Sequence, residues 1–201
     1  MNQTITLFKP SRRRGFTYIE LLVVIPIVVF VSAIAFLIIF RGWQAYQYSL
    51  AQADASYQLV NSLDRVSRVV RSTNVIVAAA NNDLTVESYF SPRDNVPDRA
   101  RYYISAGSLK VDVTPATGTA PNYVYNSTDT RTVTIIPIVN SITQPLFQYY
   151  DENGNKLTSP YVTSAVQKVE IFLSVNPKPT VLKANQTSST QVQLRNRKTN
   201  L

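Results

Sequence analysis

The sequence predicts an α+β fold: one long N-terminal helix, membrane-spanning in its first half and amphipathic in its second, packed on an antiparallel β-sheet head. Three observations point there. The stretch from Phe16 to Phe40 reads FTYIELLVVIPIVVFVSAIAFLIIF, with Glu20 as its only charge and Arg41 closing it. Beyond Gly42, apolar residues recur every three or four positions as far as Val70, the period of one helix face. From about Asn74 the period falls to two and the residues become β-branched and aromatic, the pattern of half-buried strands.

At about 1.5 Å per residue, a helix over Phe16 to Phe40 is longer than the roughly 30 Å hydrocarbon layer of a bilayer. Lys9, Arg12, Arg13 and Arg14 precede it without any acid and carry half of the net charge of +8. That bias holds the N-terminus in the cytoplasm and exports everything after Arg41, so the expected location is a single pass through the cytoplasmic (inner) membrane with an extracytoplasmic head. The basicity is therefore largely a topology signal. Ala33-Ile34-Ala35 fits the small-x-small rule of a cleaved secretory signal, but Phe36 to Phe40 prolong the helix where a peptidase needs extended chain. Glu20 is the costly residue, because a carboxylate in hydrocarbon is penalised by a few kcal/mol and is usually paired or functional. Pro26 removes one helix hydrogen bond and predicts a kink or local unwinding.

The helix is expected to continue to about Arg71. Trp43, Tyr46, Leu50, Ala53, Tyr57, Val60, Leu63, Val66 and Val70 form the stripe expected to face the sheet, with a coiled-coil stem as the alternative use. Predicted strands cover 75–80, 84–90, 101–105, 109–113, 133–138, 146–150, 166–175 and 191–194. Asn81-Asn82-Asp83 and Ala106-Gly107-Ser108 read as hairpin turns, and 91–98 and 115–123 as longer loops.

The chain has no Cys and no His. This excludes a thiol nucleophile, a histidine base, disulfides and a zinc site of the usual soft ligands. No enzyme activity, cofactor or metal is expected. Asp151-Glu152-Asn153-Gly154-Asn155 is rich in oxygen donors but lacks the spacing and closing glutamate of an EF-hand, and reads as an Asx-type turn. The twelve tyrosines are expected to fill the core or rim of the β domain. Asn126-Ser127-Thr128 and Asn185-Gln186-Thr187 fit the N-glycosylation pattern, and the sequence alone assigns neither.

The residues Arg12-Arg13-Arg14-Gly15-Phe16-Thr17-Tyr18-Ile19-Glu20-Leu21-Leu22-Val23-Val24-Ile25 resemble the class III signal of type IV pilins and type II secretion pseudopilins. The resemblance implies a pilin-like fold, cleavage by prepilin peptidase between Gly15 and Phe16, and N-methylation of the new terminal Phe16. It also implies that Glu20 pairs with the α-amino group of a neighbouring subunit's Phe16 and so sets filament register. Tyr18 and Pro26 depart from the commonest pattern. Phe147 to Gly154, Val166 to Ile171 and Val192 to Asn196 resemble strands of the large minor subunits, pseudopilin J and the W-type minor pilins.

The expected division is a leader over 1–15, a transmembrane half-helix over 16–40, an amphipathic half over 41–72 and a β-rich head over 73–201. The implied function is that of a non-catalytic minor pilin or pseudopilin acting in filament priming or at the tip. Its partners would be prepilin peptidase, other major and minor pilins or pseudopilins, and the inner-membrane assembly platform. A second hypothesis is a filament-displayed adhesin or DNA-uptake subunit that uses Arg93, Arg99, Arg101, Arg195, Arg197 and Lys198 on phosphates. A third is an unrelated single-pass receptor or envelope enzyme, which predicts an uncleaved N-terminus.

Overall fold

A computed structural model describes residues 15–90, 96–120, 122–138 and 144–194. One long helix, α1 (Tyr18–Arg71), is followed by an antiparallel β domain, the α+β layout that the sequence predicts. The chain divides into two compact units at Tyr46/Gln47.

In the first unit the apolar run is exposed around the whole circumference of the helix, from Phe16 at 74% to Phe40 at 48%. No water-soluble surface tolerates so extensive an apolar area uncovered. Its length and mean hydropathy of 3.2 are those of a helix able to cross a membrane. α1 runs through Pro26 without interruption, so the expected local unwinding does not occur. What Pro26 does remove is the N–H that the carbonyl of Leu22 would otherwise accept.

The second unit begins with the rest of α1. The sheet-facing stripe departs from the one expected. Ala51, Ala55, Leu59, Ser62, Leu63, Val66, Val69 and Val70 are buried, whereas Trp43, Tyr46, Leu50, Ala53, Tyr57 and Val60 are exposed. Only Leu63, Val66 and Val70 of the expected stripe face inward. This part of the helix carries two apolar faces, and the buried one is the face with Ala51 and Ala55.

The helix ends at a cluster of hydroxyls. Its C-terminal carbonyls lack intrahelical donors, and that of Val69 accepts from the buried Ser88 Oγ at 2.7 Å, from Ser72 Oγ at 3.0 Å and from Thr73 Oγ1 at 3.4 Å. Ser72 Oγ also lies 2.6 Å from Ser88 Oγ. One residue after α1, the first strand begins.

Strands β1 (Thr73–Ala79), β2 (Asp83–Ser88), β3 (Asp98–Ser105), β4 (Ser108–Thr114) and β7 (Arg131–Pro137) form a five-stranded antiparallel sheet in the order β1-β2-β3-β4-β7. A small hairpin of β5 (Ala116–Thr119) and β6 (Asn122–Tyr125) is inserted before β7, where the sequence suggested a loop. Gly118 makes it possible: φ is +94°, and a Cβ there would lie 2.9 Å from the carbonyl oxygen of Asn122. The third group is a sheet in the order β10-β9-β8, made of β8 (Phe147–Tyr150), β9 (Lys168–Val175) and β10 (Gln186–Gln193). β10 begins five residues earlier than its apolar pattern suggested.

Alternation decides which side of the large sheet is buried. Ile76, Leu84, Val86, Ala100, Tyr102, Leu109 and Val111 point inward, and one cluster joins them to α1 and to Phe147, Tyr149, Val169, Ile171 and Leu173 of the three-stranded sheet. Each of the larger aliphatic side chains and Phe147 contributes about 1.5–3 kcal/mol by burial. The Asn81–Asn82 turn fastens the two sheets together. Phe147 N–H donates to the Asn81 carbonyl at 2.9 Å, Leu146 N–H to Asn82 Oδ1 at 3.0 Å, and Tyr149 OH to the Ala80 carbonyl at 2.8 Å.

Candidate functional site

The residues that the sequence singles out lie where α1 begins. Thr17 and Glu20 form a reciprocal N-terminal box. Thr17 N–H and Oγ1 donate to Glu20 Oε2 at 3.1 and 3.0 Å, and Glu20 N–H donates back to Thr17 Oγ1 at 3.4 Å. Thr17 also accepts the first helical bond, from Leu21 N–H to its carbonyl at 3.1 Å. The arrangement satisfies donors that every helix N-terminus leaves open, and it sets a carboxylate at the positive end of the helix dipole. Thr17 is the residue the sequence reading passed over; its signal was the Thr-x-x-Glu spacing ahead of an apolar run.

Gly15, Phe16, Thr17 and Glu20 line one open hollow. A Cβ added to Gly15 would meet nothing within 4 Å. The fold of this chain therefore does not itself require glycine at that position. Phe16 likewise serves no packing purpose here, being 74% exposed.

The exposed helix face of the second unit is the other unfulfilled feature. Leu50, Ala53, Tyr57 and Val60 follow a spacing of three, four and three, the a/d pattern of a helix seam, and among the described residues none covers them.

The outer face of the five-stranded sheet is a lattice of paired charges. Arg101 Nε and Nη2 grip Asp83 at 2.9 and 2.5 Å, and Arg99 Nη2 meets Glu87 Oε1 at 2.8 Å. Arg101 lies 5.0 Å from the Tyr103 ring centre and Arg99 lies 4.0 Å from that of Tyr125. The hydrogen bond to Asp83 holds the Arg101 guanidinium above its ordinary pKa. Of the cations suggested for phosphate contacts, these two are already neutralised by neighbours, while Arg93, Arg195, Arg197 and Lys198 lie outside the described residues.

The tyrosines of the β domain lie in its core or rim as expected, whereas Tyr18, Tyr46, Tyr48 and Tyr57 are exposed on α1. Tyr102 and Tyr149 are core residues whose burial pushes the phenol pKa up, and Tyr103, Tyr125 and Tyr150 lie half-buried at the rim. Asp151 to Asn155 closes as an Asx turn, with Asn155 N–H and Nδ2 donating to Asp151 at 2.8 and 3.0 Å. Among the described residues, no group of three or more acidic side chains is placed to hold a metal ion.

The chain matches no protein-family model, and comparison with curated proteins finds no match.

Proposed function

We propose that this chain is a minor pilin or pseudopilin: a non-catalytic subunit that prepilin peptidase cuts between Gly15 and Phe16 and methylates at Phe16, and that an inner-membrane assembly platform then adds to a filament. One observation carries the reading. A Gly-Phe junction and a capped glutamate open an apolar helix with no cover of its own, and the same helix forms the spine of an antiparallel β domain. That Gly15 and Phe16 answer no need of the fold supports their being read by another protein.

The energetics follow from the exposed surfaces. In the membrane the run from Phe16 to Phe40 is solvated by lipid; in a filament, helices of other subunits take the place of lipid. Glu20 then exchanges its contacts with Thr17 for the α-amino group of a neighbour's Phe16, a charge-assisted pair in low dielectric. Leu50, Tyr57 and Val60 extend the same contact past the membrane. The bulk of the head and the resemblance to subunit J favour a role for this subunit in the priming complex or at the tip.

The test is the intact mass and N-terminal sequence of the membrane-extracted protein, made with and without prepilin peptidase. Chains starting at N-methylated Phe16 only in the presence of the enzyme are expected. Chains starting at Met1 despite active peptidase, or at Phe36, would overturn the assignment and leave an anchored or secreted β domain.

A further inference from the structure

Two Asn-x-Ser/Thr motifs occur in the β domain, and the fold treats them oppositely. We infer that Asn126 is an acceptor for an N-linked glycan on the exported head and that Asn185 is not. The inference rests on the proposed export of the β domain, since the donors of this chemistry are lipid-linked sugars used on the outer face of the membrane.

Asn126 sits between β6 and β7 and precedes a single 3-10 turn, Ser127–Asp129. Asn126, Ser127, Thr128 and Asp129 are all exposed. Asn126 Oδ1 accepts from Thr128 N–H at 3.4 Å, so the chain already bends back at the acceptor. That bend brings the backbone of the third position to the Asn126 side-chain amide, so acceptor and third residue are presented together on one turn. Among the described residues nothing hydrogen-bonds Asn126 Nδ2, and Thr128 Oγ1 has only a long 3.5 Å contact to Asp129 Oδ1. The segment carries no core side chain and no strand pairing, so it can enter a cleft without unfolding the domain.

Asn185-Gln186-Thr187 is also exposed at Asn185 and Thr187, but unlike the first motif it is tied into a strand ladder. Asn185 Oδ1 accepts from Asn176 Nδ2 at 3.2 Å. Gln186 and Thr187 open β10 and pair with Val175 and Ser174 of β9, in a ladder whose register continues unbroken to Gln193. Bending this motif into an enzyme requires stripping that end of the ladder from a buried strand. A third match, Asn2-Gln3-Thr4, precedes the proposed cleavage and would leave with the leader.

The reaction is a glycosyl transfer from a lipid-pyrophosphate-linked oligosaccharide. Asn126 Nδ2 forms a bond to the anomeric carbon as the carbon–oxygen bond to the pyrophosphate breaks. The electron pair departs with the phosphate oxygen, and the amide gives up one proton to a base of the transferase.

The test uses the full chain in detergent, a single-subunit oligosaccharyltransferase and its lipid-linked donor, with occupancy read by glycopeptide mass spectrometry. In the folded chain, Asn126 is expected to exceed Asn185 in occupancy by at least about tenfold, because only Asn185 requires local opening. Unfolding the chain before reaction should bring the two together. N126Q should remove the modification of the folded chain, and N185Q should leave it unchanged. An unmodified Asn126 in folded chains whose unfolded counterparts react at both sites would overturn the inference, as would equal occupancy in the folded state. In cells with an outward-facing transferase, Asn126 should also be occupied. If it is modified in vitro but not in such cells, while an exported control is, the failure belongs to the proposed export of the head and not to the acceptor assignment.

Discussion

Leu59 and Tyr57 are two positions apart on α1 and face opposite ways, one 3% and the other 70% exposed. Truncating each to alanine separates the two apolar faces of the helix. Leu59→Ala removes three buried carbons from the cluster that joins helix and sheets, and such a change costs about 2–5 kcal/mol depending on how far the site collapses. For a domain of this size that is a fall in melting temperature of roughly 5–15 °C. Tyr57→Ala leaves no cavity, and alanine is the better helix former by a few tenths of a kcal/mol, so stability should stay within about 0.5 kcal/mol of the parent. Thermal unfolding of the full chain in detergent, followed by near-ultraviolet circular dichroism, measures both. Filament incorporation, measured by sedimentation of assembled material, should show the reverse order: Tyr57→Ala loses incorporation while its head stays folded. A Tyr57→Ala chain that melts as early as Leu59→Ala would show that the outward stripe is a core face and refute the reasoning.

Four further outcomes are expected. Ser88→Ala should cost about 1 kcal/mol by urea denaturation and not the full price of an orphaned carbonyl, because Ser72 still donates to Val69. Ala106, at φ 50° beside Gly107 at φ 67° in the β3–β4 turn, holds a left-handed conformation unfavourable to a side chain, and Ala106→Gly should raise the urea midpoint by an amount equivalent to up to about 1 kcal/mol. Tyr150 is pushed up to about 12 by its hydrogen bond to Glu170 and by burial, and Tyr125 to about 12 by burial and the nearby Glu87. Both phenols keep their protons longer folded than unfolded, so their contribution to stability is whole below pH 10 and lost as pH rises towards 12; absorbance at the tyrosinate band should rise together with unfolding in that window. If the chain binds DNA at low salt, Arg99→Ala and Arg101→Ala should leave the affinity and its salt slope unchanged in a filter-binding titration, since Glu87 and Asp83 already hold these guanidiniums.

The first half of the helix was legible from its unbroken apolar run, and its second half and most strands from an apolar period of three to four or of two. β5 and β6 were not: Thr117, Gly118 and Thr119 carry no apolar alternation, and the hairpin depends on the backbone freedom of one glycine. The first half of β10 escaped for a related reason, since Gln186 to Thr190 are polar on both faces and are strand only because β9 supplies the partner. Periodicity also could not say which face of α1 meets the sheet. It found a true apolar stripe in Leu50, Tyr57 and Val60, but the buried face is the one with Ala51 and Ala55, whose single methyl groups weigh less in an apolar pattern than Leu, Tyr or Val. At the candidate site the position of Glu20 was plain in the sequence, whereas the role of Thr17 is a matter of hydrogen-bond geometry at a helix end.

The hydroxyl cluster around the Val69 carbonyl has a mechanical meaning. Tension applied to α1 upstream of Gln47 enters the β domain along Ala51 to Val70 and is borne as shear by every buried side chain of that stripe at once. At the far end Ser88, anchored in β2, holds the last turn against fraying, and Thr73 passes the load directly into β1. Failure then requires the whole stripe to slide in one event instead of peeling residue by residue. Such a joint yields abruptly at high force and hardly at all below it.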